Sequence, residues 1–302
     1  MILEMKGEFN SISLSRLCRL LHVTRQAYYQ HFWRRSDATT EEELVIDQVK
    51  DIRSIHPVIG GRKLCYLLQA FLFENQIKMG RDALFDLLAA NKLLVKKRRV
   101  KFTTTFSRHW MRKYPSLIKE WRPERPNQLW VADITYVPIA NRPLFLNLIT
   151  DAYSHKIMGY SIAENLEGVH TCRALNMALS LRTKSTPELI HHSDRGSQYC
   201  SHNYTSLLRK NDIKISMSED SDPLENAIAE RINGIVKNEY LSHFGFKNKS
   251  QVEKMLPEIV KRYNKLRPHL SINMKTPDEV HEKELLINRS WERKRQLTSI
   301  EK

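Results

Sequence analysis

Three runs of alternating residues stand almost back to back between residues 129 and 164. They constrain the fold more than any other feature of the chain. LWVADITYV (Leu129–Val137), PLFLNLITDAYS (Pro143–Ser154) and KIMGYSIAE (Lys156–Glu164) are rich in β-branched and aromatic residues, with only a few turn-forming residues between them. Connections this short leave no room for a crossover, so they predict an antiparallel meander. A helix at Val169–Arg182, a short strand at Glu188–Asp194, a helix at His202–Lys210, a strand at Ile213–Ser218 and a long helix from about Pro223 follow. Three strands, then helix and strand in alternation, is an α/β order.

Upstream of RPERPNQLW (Arg122–Trp130), whose prolines mark a linker, the pattern is helical. SLSRLCRLLHVTRQAYYQHFWRR (Ser13–Arg35) outlines a helix-turn-helix. Leu14, Leu17, Leu20 and Leu21 line its first helix, and Thr24 is placed to cap the second. Arg25, Gln26 and Tyr29 would begin the recognition helix, although an ordinary helical hairpin reads alike. Further helical segments are expected at Glu41–Ile55, Gly60–Phe71 and Met79–Arg99. The expected organisation is a helix-turn-helix-like module over residues 1–40, a second helical module over 41–100, a basic linker over 101–125, the α/β core over 126–285 and a tail over 286–302.

The formal net charge of +15 calls for a polyanionic partner, usually nucleic acid. The excess peaks over Asn91–Arg125, which contains the run KKRRVKF (Lys96–Phe102) and makes Lys96, Lys97, Arg98 and Arg99 candidate phosphate contacts. Four cysteines without a CxxC pair speak against structural zinc and for reduced thiols. There is no apolar run of membrane-spanning length and no signal peptide, so a cytoplasmic, nucleoid-associated protein is the expectation.

Acids at unusual places carry the chemistry. Asp133 sits inside an apolar strand, on one face with Leu129, Val131, Thr135 and Val137, where a carboxylate is costly unless paired or metal-bound. Asp194 follows a strand within HHSDRGSQY, and alone reads equally as a turn residue or a ligand. In the helix ENAIAERINGIVKNEY (Glu225–Tyr240), Asn226, Glu230, Asn233 and Lys237 form one polar stripe, with the apolar residues opposite. A surface helix would show the same stripe. Lys237, two turns beyond Glu230, could hold a DNA phosphate beside a metal. Asp151 reads as a turn cap. His192 could reach the site or simply pack, Arg195, Ser197 and Gln198 could touch phosphate or build the turn, and His191 has no evident role.

WVADITYV, HHSDRGSQY and NAIAERINGIVKNEY resemble the three acid blocks of the D-D-E transposases and retroviral-type integrases. The 35 residues between Asp194 and Glu230, and Lys237 seven beyond, match that pattern, as do YNKLRPH (Tyr263–His269) and TPDEV (Thr276–Val280) at the close. The chain is most similar to the second-reading-frame product of insertion-sequence-three-type transposases. One departure is Leu224-Glu225 ahead of Asn226, where the pattern has a pair such as Tyr-Asp.

The resemblance implies an RNase H-like core, a mixed five-stranded sheet with flanking helices, in which Asp133, Asp194 and Glu230 are both catalytic residues and metal ligands. His192 and Asn226 would support them. Three carboxylates can hold two Mg²⁺ ions about 4 Å apart, with Mn²⁺ able to substitute, for in-line phosphoryl transfer. Water would first cut DNA to leave a 3′-OH, and that hydroxyl would then join another strand. The implied partners are double-stranded DNA (terminal inverted repeats and target), further copies of the chain, and possibly a companion first-reading-frame protein. The alternative is a catalytically silent DNA-binding regulator derived from a transposase.

Overall fold

The computed structural model describes residues 12–95, 109–119, 121–139, 142–182, 188–219 and 226–285, without the side chains of 30–39. The basic run Lys96–Arg99 lies outside these residues. The chain divides into two compact units, one formed by residues 1–52 and 67–94, the other by 53–66 and 95–302.

The first unit is helical. Helix α1 (Leu14–Leu20) starts at Ser13, whose side chain accepts from Arg16 N. It stops where His22 turns left-handed (φ 54°) and Val23 N–H reaches back to Cys18 O (2.9 Å), a C-terminal closure of the Schellman type. Thr24 Oγ1 then accepts from Ala27 N (3.0 Å) and opens α2 (Arg25–Ile55), as expected of that threonine. Helix α2 runs on through residues 36–41, so the segment expected as a separate helix from Glu41 continues the second one. Residues 36–41, SDATTE, hold no glycine or proline to stop it. Helices α3 (Gly61–Glu74) and α4 (Arg81–Ala90) follow. Leu17, Val45, Val49, Leu68, Leu84 and Leu88 are among the buried residues that give this unit its interior.

The second unit is built on a five-stranded sheet of order β3-β2-β1-β4-β5. Strands β1 (Leu129–Val137), β2 (Leu144–Asp151) and β3 (Ile157–Ala163) form the expected antiparallel meander. Strands β4 (Ile190–Ser193) and β5 (Lys214–Met217) add in parallel beyond β1. Between β3 and β5 come α5 (Gly168–Ser180), the short α6 (Ser197–Cys200) and α7 (His202–Lys210). Then follow α8 (Ala227–Ile235), a π-helical turn (Val236–Leu241), α9 (Lys249–Leu266) and α10 (Pro277–Glu282). This mixed sheet with helices on both faces is the RNase H-like arrangement.

Each face has its own core. Trp130, Ala132 and Ile149 pack with Ala174, Leu175 and Ala178 of α5 and with Tyr204 and Leu208 of α7. Gly159 permits this approach, because a Cβ there would lie 2.0 Å from Ala174 O. On the other face, Val137, Leu144, Leu146 and Leu148 pack with Ile232, Val236 and Tyr240, and with Leu256, Ile259 and Tyr263 of α9. Helix α9 has no counterpart in the sequence expectations, although its buried residues recur at helical spacing around Pro257.

The closing blocks brace this second core. Arg267, 1% exposed, forms a two-pronged ion pair with Glu239 (2.8 and 2.7 Å). Thr276 and Glu279 make a reciprocal capping box at the start of α10. Among the described residues no helix is long and apolar enough to cross a membrane.

Candidate active site

The parallel pairing of β1 with β4 brings the first two acids together. Val131 lies opposite His192 and Ala132 opposite Ser193. Asp133 and Asp194 each follow directly on that last pair, Asp194 just past the end of β4, and the Asp194 charge acts on Asp133. Parallel neighbours in register point to the same face, about 4.8 Å apart. Gly196 N–H donates to Asp194 Oδ1 (3.0 Å), so the expected turn is present. A Cβ on Gly196 would stand 3.0 Å from that carboxylate oxygen, so only glycine lets the turn close without pushing on Asp194.

Helix α8 supplies the third acid and covers the same face of β1. Asn226 Nδ2 donates to Ala132 O (3.3 Å), and Asn233 Nδ2 donates to Asp133 Oδ2 (2.8 Å). Both asparagines are buried, and the Oδ1 of each is a buried atom without a partner. The polar stripe therefore packs against the sheet at both its asparagines, which an ordinary solvent-facing stripe would not do. Glu230 lies between them on the helix and is exposed. Asn233 is the residue that reading by type alone passed over. Its place in the stripe was the available signal.

Burial pushes the Asp133 carboxyl up to about 7. The Asp194 charge adds to this and Glu230 contributes further, while the Asn233 hydrogen bond opposes it. Among the described residues, no group of three or more His, Cys, Asp or Glu side chains is arranged to hold a metal ion as it stands. A desolvated carboxyl beside two more carboxylates is a donor set that fits divalent cations bound through oxygen.

The remaining candidates fall into place around this centre. Lys237 Nζ lies over the Tyr136 ring, 5.7 Å from its centroid, and partial burial lowers its pKa. It stands in the π-helical turn, outside the regular helix on which its alignment with Glu230 was reckoned. His192 Nδ1 shares a hydrogen bond with Ser216 Oγ (2.8 Å) while its Nε2 is buried without a partner, and burial lowers its pKa to about 4. His191 Nε2 shares one with Tyr204 OH (2.9 Å), a bond from sheet to α7 that gives this histidine a structural role.

Asp151 is a turn anchor: Oδ1 accepts from Ser154 N and Oγ, and Oδ2 from Asn127 N, all at 2.7 Å. Gln198 Nε2 donates to Leu166 O (2.9 Å), and His109 Nε2 meets Arg195 O (2.8 Å), so both positions help to build this corner. Trp130 is fully buried core. In the first unit, Arg25, Gln26 and Tyr29 are exposed on the opening turns of α2.

Comparison with known proteins places this chain in a family. The integrase core domain model matches residues 123–223, and a second integrase core domain model matches residues 211–277. The 31 kDa protein of insertion element IS600 from Shigella sonnei is 35% identical over 275 residues, covering 88% of this chain and 98% of that one. The transposase for insertion sequence element IS629, also from Shigella sonnei, is 31% identical over 258 residues, covering 83% and 85%. Among solved structures, the HTLV-2 integrase catalytic core domain, in complex with magnesium, is 23% identical with a TM-score of 0.43, covering 53% of this chain and 99% of that one. The chain belongs to the D-D-E transposases of the insertion-sequence-three type and carries their integrase core. It is a DNA transposase.

Proposed function

We propose that Asp133, Asp194 and Glu230 form the phosphoryl-transfer centre, cutting DNA at the ends of an insertion sequence and joining the freed 3′ ends to target DNA. The observation that carries this is the juxtaposition of Asp133 and Asp194 by strand register, with Glu230 brought over them by a helix whose asparagines are hydrogen-bonded to β1. The three carboxylates would hold two Mg²⁺ ions, or Mn²⁺, which when bound neutralise charge on the phosphoryl oxygens and lower the pKa of the attacking oxygen. Asn233 fixes the Asp133 carboxylate, and the Gly196 turn fixes Asp194. Asn226 ties the start of α8 to the backbone of β1, and so sets the height of Glu230 above the sheet. Lys237, and the basic residues Lys96, Lys97, Arg98 and Arg99, would contact phosphate. Residues 1–40 and 41–100 would bind the terminal inverted repeats, with Arg25, Gln26 and Tyr29 presented to DNA from the start of α2. Pairing two element ends calls for more than one copy of the chain, and a companion first-reading-frame protein would take part in that assembly.

The experiment incubates the purified chain with duplexes carrying the flanking inverted repeats and Mg²⁺, and maps new 3′ ends. New ends at the repeat termini, followed by joined strands, are expected. Binding to the repeats without nicking in Mg²⁺ or Mn²⁺ would instead mark a silent regulator.

A further inference from the structure

Helix α8 has a second face that the carboxylate site does not use. Ile228, Ile232 and Ile235, with Arg231, line a cavity of about 190 Å³ whose other walls include His155, His269 and Ser271. The polar walls are tied together. The rings of His155 and His269 meet edge to face at 5.6 Å, Ser271 Oγ lies 3.3 Å from His155 Nδ1, and Arg267 Nη1 donates to His269 Nε2 (3.0 Å).

The charge around this cavity does not balance. The charges of Lys63, Arg231 and Arg267 all act on His269. The acid that acts on Lys63 is Glu239, and both its oxygens are already engaged by Arg267. Among the described residues neither Lys63 nor Arg231 has a carboxylate partner. Lys63 is nevertheless partly desolvated, and burial holds its ammonium down to about 8. Withdrawing an ammonium from water beside like charges is unfavourable unless an anion joins it. Among the described residues, three cations against one spent carboxylate leave a surplus of two positive charges. Next to them are a hydroxyl and two imidazoles able to hydrogen-bond an oxyanion, and a volume well above the roughly 30 Å³ of a water molecule.

We infer that this cavity is a phosphate-binding site on the back of the catalytic helix, with Arg231 as the charged ligand in its wall, Lys63 adding positive charge from behind the wall, and Ser271 as a neutral donor. The apolar floor of isoleucines suits a phosphate that arrives attached to a sugar. The phosphate could belong to the DNA backbone or to a free species. The inference does not depend on which carboxylates hold metal.

The test uses the full chain as wild type, Arg231→Gln, Lys63→Gln and, as a charge control, Lys254→Gln, an exposed lysine of α9 away from the cavity. One measurement compares melting temperature in sodium phosphate and in sodium chloride at matched ionic strength. The other follows the affinity for a labelled random-sequence duplex, in chelator, as a function of salt. Phosphate is expected to raise the melting temperature of the wild type and the Lys254 variant more than that of the two cavity variants. If DNA supplies the phosphate, Arg231→Gln also lowers the slope of log affinity against log salt by about 0.9, the value for one phosphate contact, and Lys63→Gln lowers it by less. Loss of the phosphate effect alone assigns the site to a free phosphate species, and loss of slope alone assigns it to duplex DNA. The inference is overturned if folded cavity variants match the control in both measurements. Two independent variants keep the test decisive should one fail to fold.

Discussion

Removing the Asn233 side chain tests how the site holds its half-buried acid Asp133. Asn233 Nδ2 lies 2.8 Å from Asp133 Oδ2 and is itself buried. A hydrogen bond to a charged group is worth about 1.5–3 kcal/mol. At about 1.4 kcal/mol per tenfold, Asn233→Ala should slow cleavage by roughly 10- to 150-fold if the bond is realised fully in the transition state. The variant should also move the pH profile. The Asp133 carboxyl already stands at about 7, and the asparagine is what holds it down against burial and two neighbouring carboxylates. Without it the pKa rises, less of the reactive anion is present at neutral pH, and activity recovers only at higher pH. The Mg²⁺ requirement should rise with it. The assay is single-turnover 3′-end cleavage of a labelled terminal-repeat duplex across pH and Mg²⁺, with melting temperature as the control for folding. A folded Asn233→Ala protein with the wild-type rate, pH profile and Mg²⁺ dependence would refute the reasoning.

Three further outcomes follow from the same geometry. Gly159→Ala forces a Cβ to within 2.0 Å of Ala174 O, so α5 must shift outward; a loss of about 3 kcal/mol is expected, while Gly80→Ala, in open space, should cost only the roughly 1 kcal/mol of a poorer helix N-cap in the same melting experiment. Asp151→Asn disrupts an acceptor of three 2.7 Å hydrogen bonds and should destabilise by about 3 kcal/mol, yet the protein that remains folded should still join strands, because Asp151 is a turn anchor. Acid should destabilise the fold: His56, His191 and His192 are held to about 4, 3 and 4, so below about pH 6.5 the unfolded chain takes up protons that the folded chain refuses. Stability is then complete above that pH and falls by roughly 2 kcal/mol per histidine by pH 5; a melting temperature unchanged between pH 7 and pH 5 would contradict this.

Much of the core was legible because its signals are local. The meander showed in three alternating runs, and β1 and α7 match their expected bounds residue for residue. Thr24 was recognisable as a cap because the capping hydrogen bond spans only three residues. What escaped depends on contacts distant in sequence. Asn233 looks like any helix asparagine until β1 is seen to bring Asp133 to it, 100 residues away in the chain. The buried pairing of His192 with Ser216 appears only once β4 lies beside β5. Lys237 falls in a π-helical turn after Ile235 and not in the regular helix, and no local sequence rule marks that turn. Helix α9 was obscured by Pro257, normally a helix breaker, although its packed face overrides that preference.

The most direct test of the account is strand transfer by Asp194→Ala beside the wild type, with terminal-repeat duplexes, target DNA and Mg²⁺, and with binding to the repeats measured on the same preparations. The account predicts that the variant binds the repeats as the wild type does and yields no new 3′ ends and no joined strands. An Asp194→Ala protein that still joins strands would contradict it.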